Sequence, residues 1–340
     1  MTKVAILTGA TGQDGSYLSE LLLENGYEVF CMIRRSTYPI SSSNLTSLTL
    51  DNPRLRLFDA DITDQSSVVR VFNEAKEFDR IEVYNLAAQS HVAISFECPA
   101  LTVETNTIGT LNLLEAIRQC GLIKKVRFYQ ASTSEMFGKV QEVPQTEKTA
   151  FYPRSPYGVS KVAAHWMVIN YRESYGLFAC CGILFNHESP RRGANFVTQK
   201  IVKALSGSKP RLFIGNLDAR RDWGHAKDYV KAMWLMLQQE TPGDFVVSTG
   251  EQHSVREFIE KVCILRGIKL KWLGSGLDEV GVDHDSGDTI VSVSEKFYRP
   301  CEVDTLLGDC AKIKSIGWKP EYDFENLVKN MYEYGKNAAE

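Results

Sequence analysis

Tyr157 and Lys161 stand four residues apart in the segment "SPYGVSK". Side chains at that spacing share one face of a helix, so the lysine ammonium can lie beside the phenol. Tyrosine is a poor base at neutral pH because its ordinary pKa is about 10, but a neighbouring positive charge favours the phenolate and lowers that pKa. The pair therefore indicates a site that removes a proton from an alcohol.

A carboxylate stands among hydroxyl groups in the segment "STSEMFG", where Thr133 and Glu135 follow Ser132. The residues before it, "VRFYQAS", are rich in β-branched and aromatic side chains and predict a buried strand that ends at this cluster. Ligands of open α/β sheets bind at the carboxyl ends of strands. Two interpretations remain. Either Thr133 shares a hydrogen bond with a bound alcohol and Glu135 takes part in the chemistry, or the hydroxyls cap a turn and Glu135 is solvated.

The glycines of "TGATGQDG" lie between the first predicted strand and the first predicted helix. Glycine allows a tight turn and lets the backbone approach a pyrophosphate, whose charge then meets free N–H groups at the start of the helix. The strand before and the helix after indicate a nucleotide-binding turn. The residues predicted to hold the cofactor here are Gly9, Thr11, Gly12, Gln13, Asp14 and Gly15.

The next three strands end in residues that suit the rest of a dinucleotide. Arg34, Arg35 and Ser36 follow the second strand, where paired guanidinium groups favour the 2′-phosphate of NADP over the free hydroxyl of NAD. Two solvated surface arginines are the alternative. The predicted contacts after the third and fourth strands are Asp61 and Ile62 beside the adenine, and Leu86, Ala87 and Ala88 where the cofactor passes close to the backbone.

Strands alternate with helices over roughly the first 185 residues. The segments that predict strands are "VAILTG", "EVFCMIR", "LRLFDADI", "IEVYNLAA", "VRFYQAS" and "FACCGILFN". The helical patterns include "DGSYLSELLLENG", "TNTIGTLNLLEAIRQCG" and "SKVAAHWMVINYRESYG". This alternation predicts an α/β fold with a doubly wound parallel sheet of the Rossmann type and right-handed crossovers.

The character of the chain changes after Asn186. A basic, turn-rich segment, "HESPRRGANF", precedes a helical pattern, whereas "HAKDYVKAMWLMLQQ" and "DFVVSTG" predict a return to the first sheet. From about Glu251 we expect shorter elements and more loops. We therefore predict a Rossmann domain of residues 1–186 and 225–250, and a smaller, discontinuous α/β substrate-binding domain of residues 187–224 and 251–340.

Composition narrows the class of partner. The formal net charge is −3, with 39 basic and 42 acidic residues, and it gives no electrostatic reason to expect a nucleic acid or a membrane as partner. No apolar run approaches the length of about 18 residues that a membrane span needs, and the amino-terminal residues lack a signal-peptide pattern, so we expect a cytoplasmic protein. The six histidines show no metal-binding spacing, and no metal is predicted.

Together with the glycines, Thr133, Tyr157 and Lys161 resemble the extended short-chain dehydrogenase/reductase superfamily, whose members act on nucleotide sugars. Longer segments resemble the GDP-mannose 4,6-dehydratase family within it. These segments are "TGQDGSYL", "STSEMFG", "FYPRSPYGVSK", "NYRESYG", "GILFNHESPRRG", "RDWGHAKDYV" and "YRPCEVDTLLGD". The resemblance implies conversion of GDP-mannose to GDP-4-keto-6-deoxy-mannose, which leads to deoxy sugars such as fucose or rhamnose.

The resemblance also implies a role for each catalytic residue. Tyr157, assisted by Lys161 and Thr133, takes the proton of the sugar 4-hydroxyl while hydride passes from C4 to NADP. Glu135 then takes the C5 proton and helps the C6 hydroxyl leave as water, and hydride returns to C6. Further contacts implied are His187 and Arg192 toward the cofactor, and Ser90, Glu135, Asn186, Glu188, Val197, Lys200, Gly215, Asn216, Arg221, Arg299 and Glu302 toward the nucleotide sugar.

Some segments differ from the pattern of that family. Met136 and Phe137 stand where the family usually has Leu-Tyr, and both changes keep size and charge. After the paired arginines, "TYPISSSNL" replaces a serine-rich loop that contains Phe-Asn in the family. Because that loop takes part in tetramer contacts in the family, the resemblance implies a homo-oligomer, either a dimer or a tetramer.

Other functions stay open on the sequence. A nucleotide-sugar 4-epimerase needs the same Tyr157 and Lys161 but no acid at C6, so Glu135 discriminates against it. A non-catalytic NADP-sensing protein would keep the glycines and lose the tyrosine and the lysine. A dehydratase that holds NADPH could in addition reduce its 4-keto product to GDP-rhamnose, and nothing in the sequence excludes this added activity.

Overall fold

The computed structural model describes residues 2–297, Val303 and residues 305–339. The strands are β1 (Lys3–Thr8), β2 (Glu28–Ile33), β3 (Leu55–Asp59), β4 (Arg80–Asn85), β5 (Val126–Thr133), β6 (Phe178–Leu184), β7 (Asn186–Glu188), β8 (Leu212–Ile214), β9 (Arg220–Arg221), β10 (Trp223–His225), β11 (Asp244–Val247), β12 (His253–Ser254), β13 (Leu270–Leu273), β14 (Val280–Asp283) and β15 (Thr289–Val293). The helices are α1 (Gln13–Glu24), α2 (Ser47–Leu50), α3 (Gln65–Glu74), α4 (Val92–Glu97), α5 (Pro99–Val103), α6 (Gly109–Gln119), α7 (Pro156–Tyr175), α8 (Val197–Ser206), α9 (Ala226–Leu237), α10 (Val255–Arg266), α11 (Ala311–Ser315) and α12 (Phe324–Ala339).

The main sheet has the order β11-β6-β5-β4-β1-β2-β3, and its neighbouring strands run parallel. All six strands predicted from the first part of the chain are present, and the predicted return to the sheet is β11. The order reverses between β1 and β4, which is the switch point where a doubly wound sheet binds its ligands. The predicted α/β fold with a Rossmann-type parallel sheet is confirmed.

Both faces of this sheet are buried, as the near-continuous apolar strands require. Because side chains alternate along a strand, Ala5 and Leu7 of β1 join one core while Val4 and Ile6 join the other. Helices α1 and α9 cover the first face, and helices α3, α6 and α7 cover the second. Helix α7 is therefore held firmly against the strands whose ends carry the hydroxyl cluster.

A second, smaller sheet has the order β13-β14-β15-β8 among the described residues. Helices α8, α10 and α12 pack around it with Trp223, and the apolar core they form includes Phe258 and Leu327. Our expectation of short elements after Glu251 was wrong for α10 and α12, which have 12 and 16 residues. Both helices have an apolar face opposite a polar one, the pattern that marks a surface helix, so the sequence contained the signal for them.

The predicted domain boundaries stay a prediction, but one segment packs differently from what they imply. Cys310, Ile313 and Trp318 belong to the predicted second domain, yet they lie in the core of the first sheet. The Trp318 indole N–H donates to the carbonyl of Asp228 on α9 at 2.8 Å. The chain thus returns to the first core before it enters α12.

The segment between β4 and α6 is more structured than the sequence indicates. The helices α4 and α5 are short, and a π-helix, Glu104–Ile108, replaces the first turn of the helix predicted from "TNTIGTLNLLEAIRQCG". Such wide turns are difficult to predict because they change only the local hydrogen-bond register. Within the described part of the chain, none of the helices is both long and apolar enough to cross a membrane.

Candidate active site

A cleft of about 1060 Å³ opens at the carboxyl ends of β1, β4, β5 and β6. The predicted site residues that line it are Gly9, Thr11, Gly12, Gln13, Asp14, Gly15, Arg34, Asp61, Ile62, Leu86, Ala87, Ala88, Ser90, Thr133, Glu135, Tyr157, Lys161, Asn186, His187, Glu188, Arg192, Val197, Lys200, Gly215, Asn216 and Arg221. Arg35 and Ser36 follow Arg34 but do not line the cleft. Arg299 and Glu302 lie outside the described residues.

The glycine-rich turn leaves open space at the end of β1. Gly9 has a φ of +67°, which disfavours other residues, and a Cβ on Gly15 would lie 2.3 Å from the carbonyl oxygen of Gly9. Gly12 is the N-cap of α1 and has no side chain that could occupy the first N–H groups of the helix. The turn therefore fits a pyrophosphate, because a negatively charged group can approach the backbone and the helix start together.

The adjacent end of β4 is tied to β1 by one hydroxyl. Thr8 Oγ1 accepts hydrogen bonds from the backbone N–H groups of Leu86 and Ala87, both at 3.0 Å, and donates to Asn85 Oδ1 at 2.8 Å. This contact holds the loop after β4 beside the glycine-rich turn. The predicted cofactor contacts of the first and fourth strands thus lie next to each other.

Tyr157 and Lys161 lie in the first two turns of α7. Ser155 caps this helix by accepting a hydrogen bond from the Gly158 N–H at 3.0 Å, and Pro156 occupies its first position. The Lys161 ammonium lies 5.9 Å from the centre of the Tyr157 ring. The two side chains therefore have the relationship that the four-residue spacing predicts.

The titration behaviour of this pair is set by burial. Burial raises the pKa of Tyr157 to about 12, although the Thr133 hydroxyl acts in the opposite direction. Burial also lowers the pKa of Lys161 to about 8, while its Nζ donates to the carbonyl oxygen of Ala131 at 3.0 Å. Burial thus opposes the charged form of both side chains. An added positive charge beside the phenol would favour its deprotonation.

Thr133 and Glu135 show that the two interpretations of the hydroxyl cluster are compatible. Thr133 does cap a turn, since its Oγ1 accepts from the Glu135 N–H at 3.3 Å at the start of the 3₁₀-helix Ser134–Met136. Glu135 is half-buried and lines the cleft, and its negative charge acts on the Tyr157 pKa. The turn presents the carboxylate to the same space as the phenol.

Asp14 and His187, both predicted to contact the cofactor, form an ion pair with each other. His187 Nε2 lies 2.7 Å from Asp14 Oδ2, and His187 Nδ1 lies 2.8 Å from the carbonyl oxygen of Phe185. The His187 ring also stacks on Tyr229 at a centroid distance of 4.4 Å. This arrangement agrees with a histidine that fixes its own segment rather than one that reacts.

One oxygen of the Glu188 carboxylate contacts two neighbouring residues. This oxygen, Oε2, accepts a hydrogen bond from the Thr198 hydroxyl, and it lies 3.0 Å from Arg192 Nε, without the alignment of a hydrogen bond. The Arg192 guanidinium also stacks on Phe196, 3.6 Å from the ring centre. Both contacts are made by Oε2, so they leave open the role predicted for Glu188 as an acceptor for the nucleotide sugar.

Sequence reasoning missed part of the cleft wall. The side chains of Phe96, Leu101 and Thr105 reach the cleft from the short helices and the π-helix after β4, where no motif indicates a site. Phe196 and Phe297 lie beside the predicted cations Arg192 and Lys200, and the Lys200 ammonium is 3.2 Å from the ring centre of Phe297. Aromatic residues near predicted cations were the one signal that could have found this edge.

Trp223, which packs between cleft and core, has the structural role expected of a buried tryptophan. Its ring stacks on Phe324 and meets the edge of Phe258. The strand β10 that carries it runs parallel to β7, so that Trp223 is opposite Asn186. This pairing brings the predicted substrate residues Asn186 and Arg221 to one wall of the cleft.

The sequence of this chain matches a known family over most of its length. A sequence model of the family described as GDP-mannose 4,6 dehydratase matches residues 6–331. A GDP-mannose 4,6 dehydratase from Cricetulus griseus is 53% identical over 342 residues, which cover 97% of this chain and 91% of that protein. A GDP-mannose 4,6-dehydratase from Vibrio cholerae is 52% identical over 348 residues, which cover 97% of this chain and 92% of that protein.

Solved structures of nucleotide-sugar enzymes share the fold. The UDP-glucose 4-epimerase of Thermus thermophilus, solved in complex with NAD, has a TM-score of 0.81 and 27% identity over 98% of this chain and 99% of its own. The dTDP-glucose 4,6-dehydratase of Bacillus anthracis has a TM-score of 0.79 at 22% identity, over 99% of this chain and 97% of its own. By its sequence match over nearly the whole length, this chain belongs to the GDP-mannose 4,6-dehydratase family.

Proposed function

We propose that the protein converts GDP-mannose to GDP-4-keto-6-deoxy-mannose, with loss of one water, in the cleft at the carboxyl ends of β1, β4, β5 and β6. The observation that carries this function is that Thr133, Glu135, Tyr157 and Lys161 line one cleft in a member of this family. An alcohol-oxidising pair and a separate carboxylate are what an oxidation followed by an elimination needs.

The first step uses the pair on α7. Tyr157 takes the proton of the sugar 4-hydroxyl, and the Lys161 ammonium stabilises the phenolate that this requires. Thr133 holds the same sugar oxygen by a hydrogen bond. The bound nicotinamide cofactor would accept the hydride from C4 and later return it to C6, so that there is no net redox change.

The second step uses Glu135. A ketone at C4 makes the neighbouring C5–H acidic, and the Glu135 carboxylate, which lines the same cleft, takes this proton. The acid so formed gives the proton to the C6 hydroxyl, which leaves as water with the C–O bonding electrons. The hydride returned to C6 would be accompanied by a proton from water at C5, while Tyr157 gives the proton of the 4-hydroxyl back to water, and the 4-keto-6-deoxy sugar is complete.

NADP is the cofactor proposed for the cleft. The glycine-rich turn suits the pyrophosphate of any dinucleotide, because the N-cap Gly12 carries no side chain that could compete with an anion for the first N–H groups of α1. The preference for NADP rests on Arg34, which lines the cleft after β2 and can pair with a 2′-phosphate. Arg35 and Ser36 support it less, because they lie off the cleft wall.

The opposite end of the cleft suits the GDP group. Asn186, Lys200 and Arg221 line it and can bind phosphate oxygens or the guanine base. The other proposed substrate contacts that line the cleft are Ser90, Val197, Gly215 and Asn216. The residues Arg299 and Glu302 remain predictions from the sequence.

A homo-oligomer is proposed on the basis of exposed apolar side chains. Val159 and Trp166 are 51% and 57% exposed on the outer face of α7, and Ile108 is exposed on the π-helix that packs against this helix. Tyr38 and Leu48, in the segment after the paired arginines, are exposed as well. A second copy of the chain would remove these groups from water.

The test of the function is to incubate the purified protein with GDP-mannose and NADP and to follow the sugar by mass spectrometry and NMR. We expect the loss of one water and a new 4-keto-6-deoxy spin system without net consumption of cofactor. A product of unchanged mass, epimerised at C4, would instead establish the epimerase. Binding of NADP without any turnover would support the sensing protein.

An added reductase activity is tested separately. The 4-keto product is incubated with the enzyme and excess NADPH, and the nicotinamide absorbance is followed with time. A loss of absorbance together with formation of GDP-rhamnose would establish the added activity, and stable absorbance would exclude it. Either result leaves the dehydratase function unaffected.

A further inference from the structure

A buried histidine lies one helical turn beyond Lys161. His165 exposes only 3% of its surface, and its Nδ1 lies 2.9 Å from the Ser132 hydroxyl oxygen. Tyr157, Lys161 and His165 are spaced by four residues along α7 and therefore lie along one face of the helix. The reaction sequence proposed above gives His165 no role.

The three side chains meet consecutive residues at the end of β5. Lys161 Nζ donates to the Ala131 carbonyl at 3.0 Å, and His165 hydrogen-bonds Ser132. The next residue, Thr133, acts on the pKa of Tyr157. Ser132 thus lies in the chain between Ala131, whose carbonyl binds Lys161, and Thr133, whose hydroxyl acts on Tyr157.

The surroundings of His165 hold its ring in place. Phe151 packs edge-to-face against it at a centroid distance of 5.3 Å and an angle of 87°. On another side, Cys181 and Asp244 have potential metal-ligating atoms that lie within 4.8 Å of each other and of the imidazole. Both oxygens of Asp244 accept hydrogen bonds from the Arg172 guanidinium at 2.9 and 3.0 Å, so this carboxylate serves an ion pair rather than a metal.

The protonation state suits a hydrogen-bonding role. Burial lowers the pKa of His165, although the Asp244 carboxylate acts in the opposite direction. A neutral imidazole has one N–H donor and one acceptor nitrogen, and either can serve the Ser132 hydroxyl. Ser132 is itself buried. Loss of the contact would therefore remove a hydrogen-bond partner from both the buried Ser132 hydroxyl and the buried His165 imidazole. This loss would occur at the end of β5, which the catalytic residues contact.

We propose that His165 is a positioning residue. Its hydrogen bond to Ser132 fixes the end of β5, and this end in turn positions Thr133 and the Ala131 carbonyl, which binds Lys161, relative to Tyr157. The inference rests on the proposed function of this cleft. A displacement of the catalytic groups by a fraction of an ångström affects the chemical step far more than the binding of the substrate.

The first experiment compares His165→Phe and Ser132→Ala with the wild type. Each is expected to lower kcat for dehydration about tenfold, with changes of less than about twofold in KM and in the Kd of NADP measured by fluorescence. The double variant should fall no further than the single ones, because both remove one contact. Additive losses or an unchanged kcat would overturn the proposal. Where His165→Phe fails to fold, Ser132→Ala decides alone.

The second experiment separates the hydrogen bond from packing. In His165→Asn the side-chain amide lies near the position of Nδ1, whereas in His165→Gln it lies closer to that of Nε2. We expect the asparagine variant to recover most of kcat and the glutamine variant to recover little, although asparagine fills the core less well. If kcat instead rises with the Tm of the variants, whichever amide they carry, His165 has a packing role alone.

A third readout does not depend on turnover. Amide hydrogen exchange in the peptide covering residues 131–135 should increase in His165→Phe, while exchange in β4 stays at the wild-type level. Unchanged exchange in residues 131–135 would overturn the inference. Absence of dehydration by the wild type would count against the proposed function only, so the two failures can be distinguished.

Discussion

Asp14 and His187 connect the glycine-rich turn to the segment that carries the proposed substrate contacts, with 2.7 Å between Asp14 Oδ2 and His187 Nε2. The second contact of the ring, from Nδ1 to the Phe185 carbonyl, makes Nδ1 the donor and fixes the orientation of the imidazole. Gln13 strengthens the connection, because its amide donates to the His187 carbonyl at 3.1 Å and accepts from the Ser189 hydroxyl at 2.8 Å. These contacts connect the glycine-rich turn directly to the segment of residues 187–189.

This ion pair predicts a pH-dependent stability. Burial opposes the charged forms, but the attraction between the partners raises the pKa of His187 above 6.5 and lowers that of Asp14 below 3.8. The His187 contribution is therefore complete below pH 6.5 and is lost as pH rises through the raised pKa, whereas the Asp14 contribution is lost only as pH falls through its lowered pKa.

We expect His187→Phe to lower the free energy of unfolding by about 2 kcal/mol near pH 6, and by less at about pH 9, as measured by urea denaturation. The matched control is His284→Phe, which removes an exposed histidine paired with Asp285 and should change little. An equal loss at both pH values would show that the charge on His187 does not contribute.

Glu135→Gln separates oxidation from elimination. The glutamine keeps the size of the side chain but cannot take the C5 proton, so we expect NADP binding and hydride transfer at C4 to continue while water loss falls by at least about a hundredfold. Exchange of isotope at C4 and formation of the dehydrated product are measured in parallel. Glu173→Gln, an exposed change on α7, is the control that keeps activity. Normal product formation by Glu135→Gln would refute the role assigned to the carboxylate.

Two glycines of the turn are expected to differ in their effects. A Cβ on Gly15 would lie 2.3 Å from the Gly9 oxygen and 2.6 Å from the Ala10 Cα, whereas a Cβ on Gly12 would meet only the Gly9 oxygen at 3.3 Å. Gly15→Ala should therefore lower Tm even without cofactor, whereas Gly12→Ala should fold normally and weaken NADP binding at the helix start. Calorimetry with and without NADP checks both, and a normal Tm for Gly15→Ala would contradict the packing argument.

The two arginines after β2 provide a test of cofactor choice. Arg34 lines the cleft and Arg35 does not. We expect Arg34→Ala to weaken NADP binding by about tenfold or more through loss of charge-assisted hydrogen bonds, with little effect on NAD. Arg35→Ala is the control and should change either affinity less. Equal losses for NADP and NAD in Arg34→Ala would argue against contact with the 2′-phosphate.

Trp166→Glu tests the proposed oligomer. A charge on the exposed apolar face of α7 should disfavour a second copy there and reduce the molar mass measured by light scattering. Tyr334→Glu is the control, because Tyr334 has nearly the same exposure on α12, away from the proposed interface. An unchanged molar mass for Trp166→Glu would place the contact elsewhere or indicate a monomer.

Local patterns in the sequence determined the strands, the main helices and the chemical character of the site. The strand segments are buried on both faces and therefore read as apolar runs, and the glycine-rich turn depends on steric demands that only glycine meets. Tyr157 and Lys161 were predictable as a pair because their distance follows from helix geometry alone. The presence of Thr133 and Glu135 at the cleft followed from their place at the end of a predicted strand.

Only the tertiary structure decided which distant groups meet. Asp14 and His187 are 173 residues apart in the chain, and no local pattern indicates their ion pair. The π-helix turns Asn106 so that its amide donates to Ser160 at 2.9 Å, which depends on the packing of two separate helices. Tertiary packing also decides that Arg34 lines the cleft whereas Arg35 does not. It likewise decides that Arg192 pairs with Glu188. Such contacts depend on how the backbone folds between residues that the sequence holds far apart.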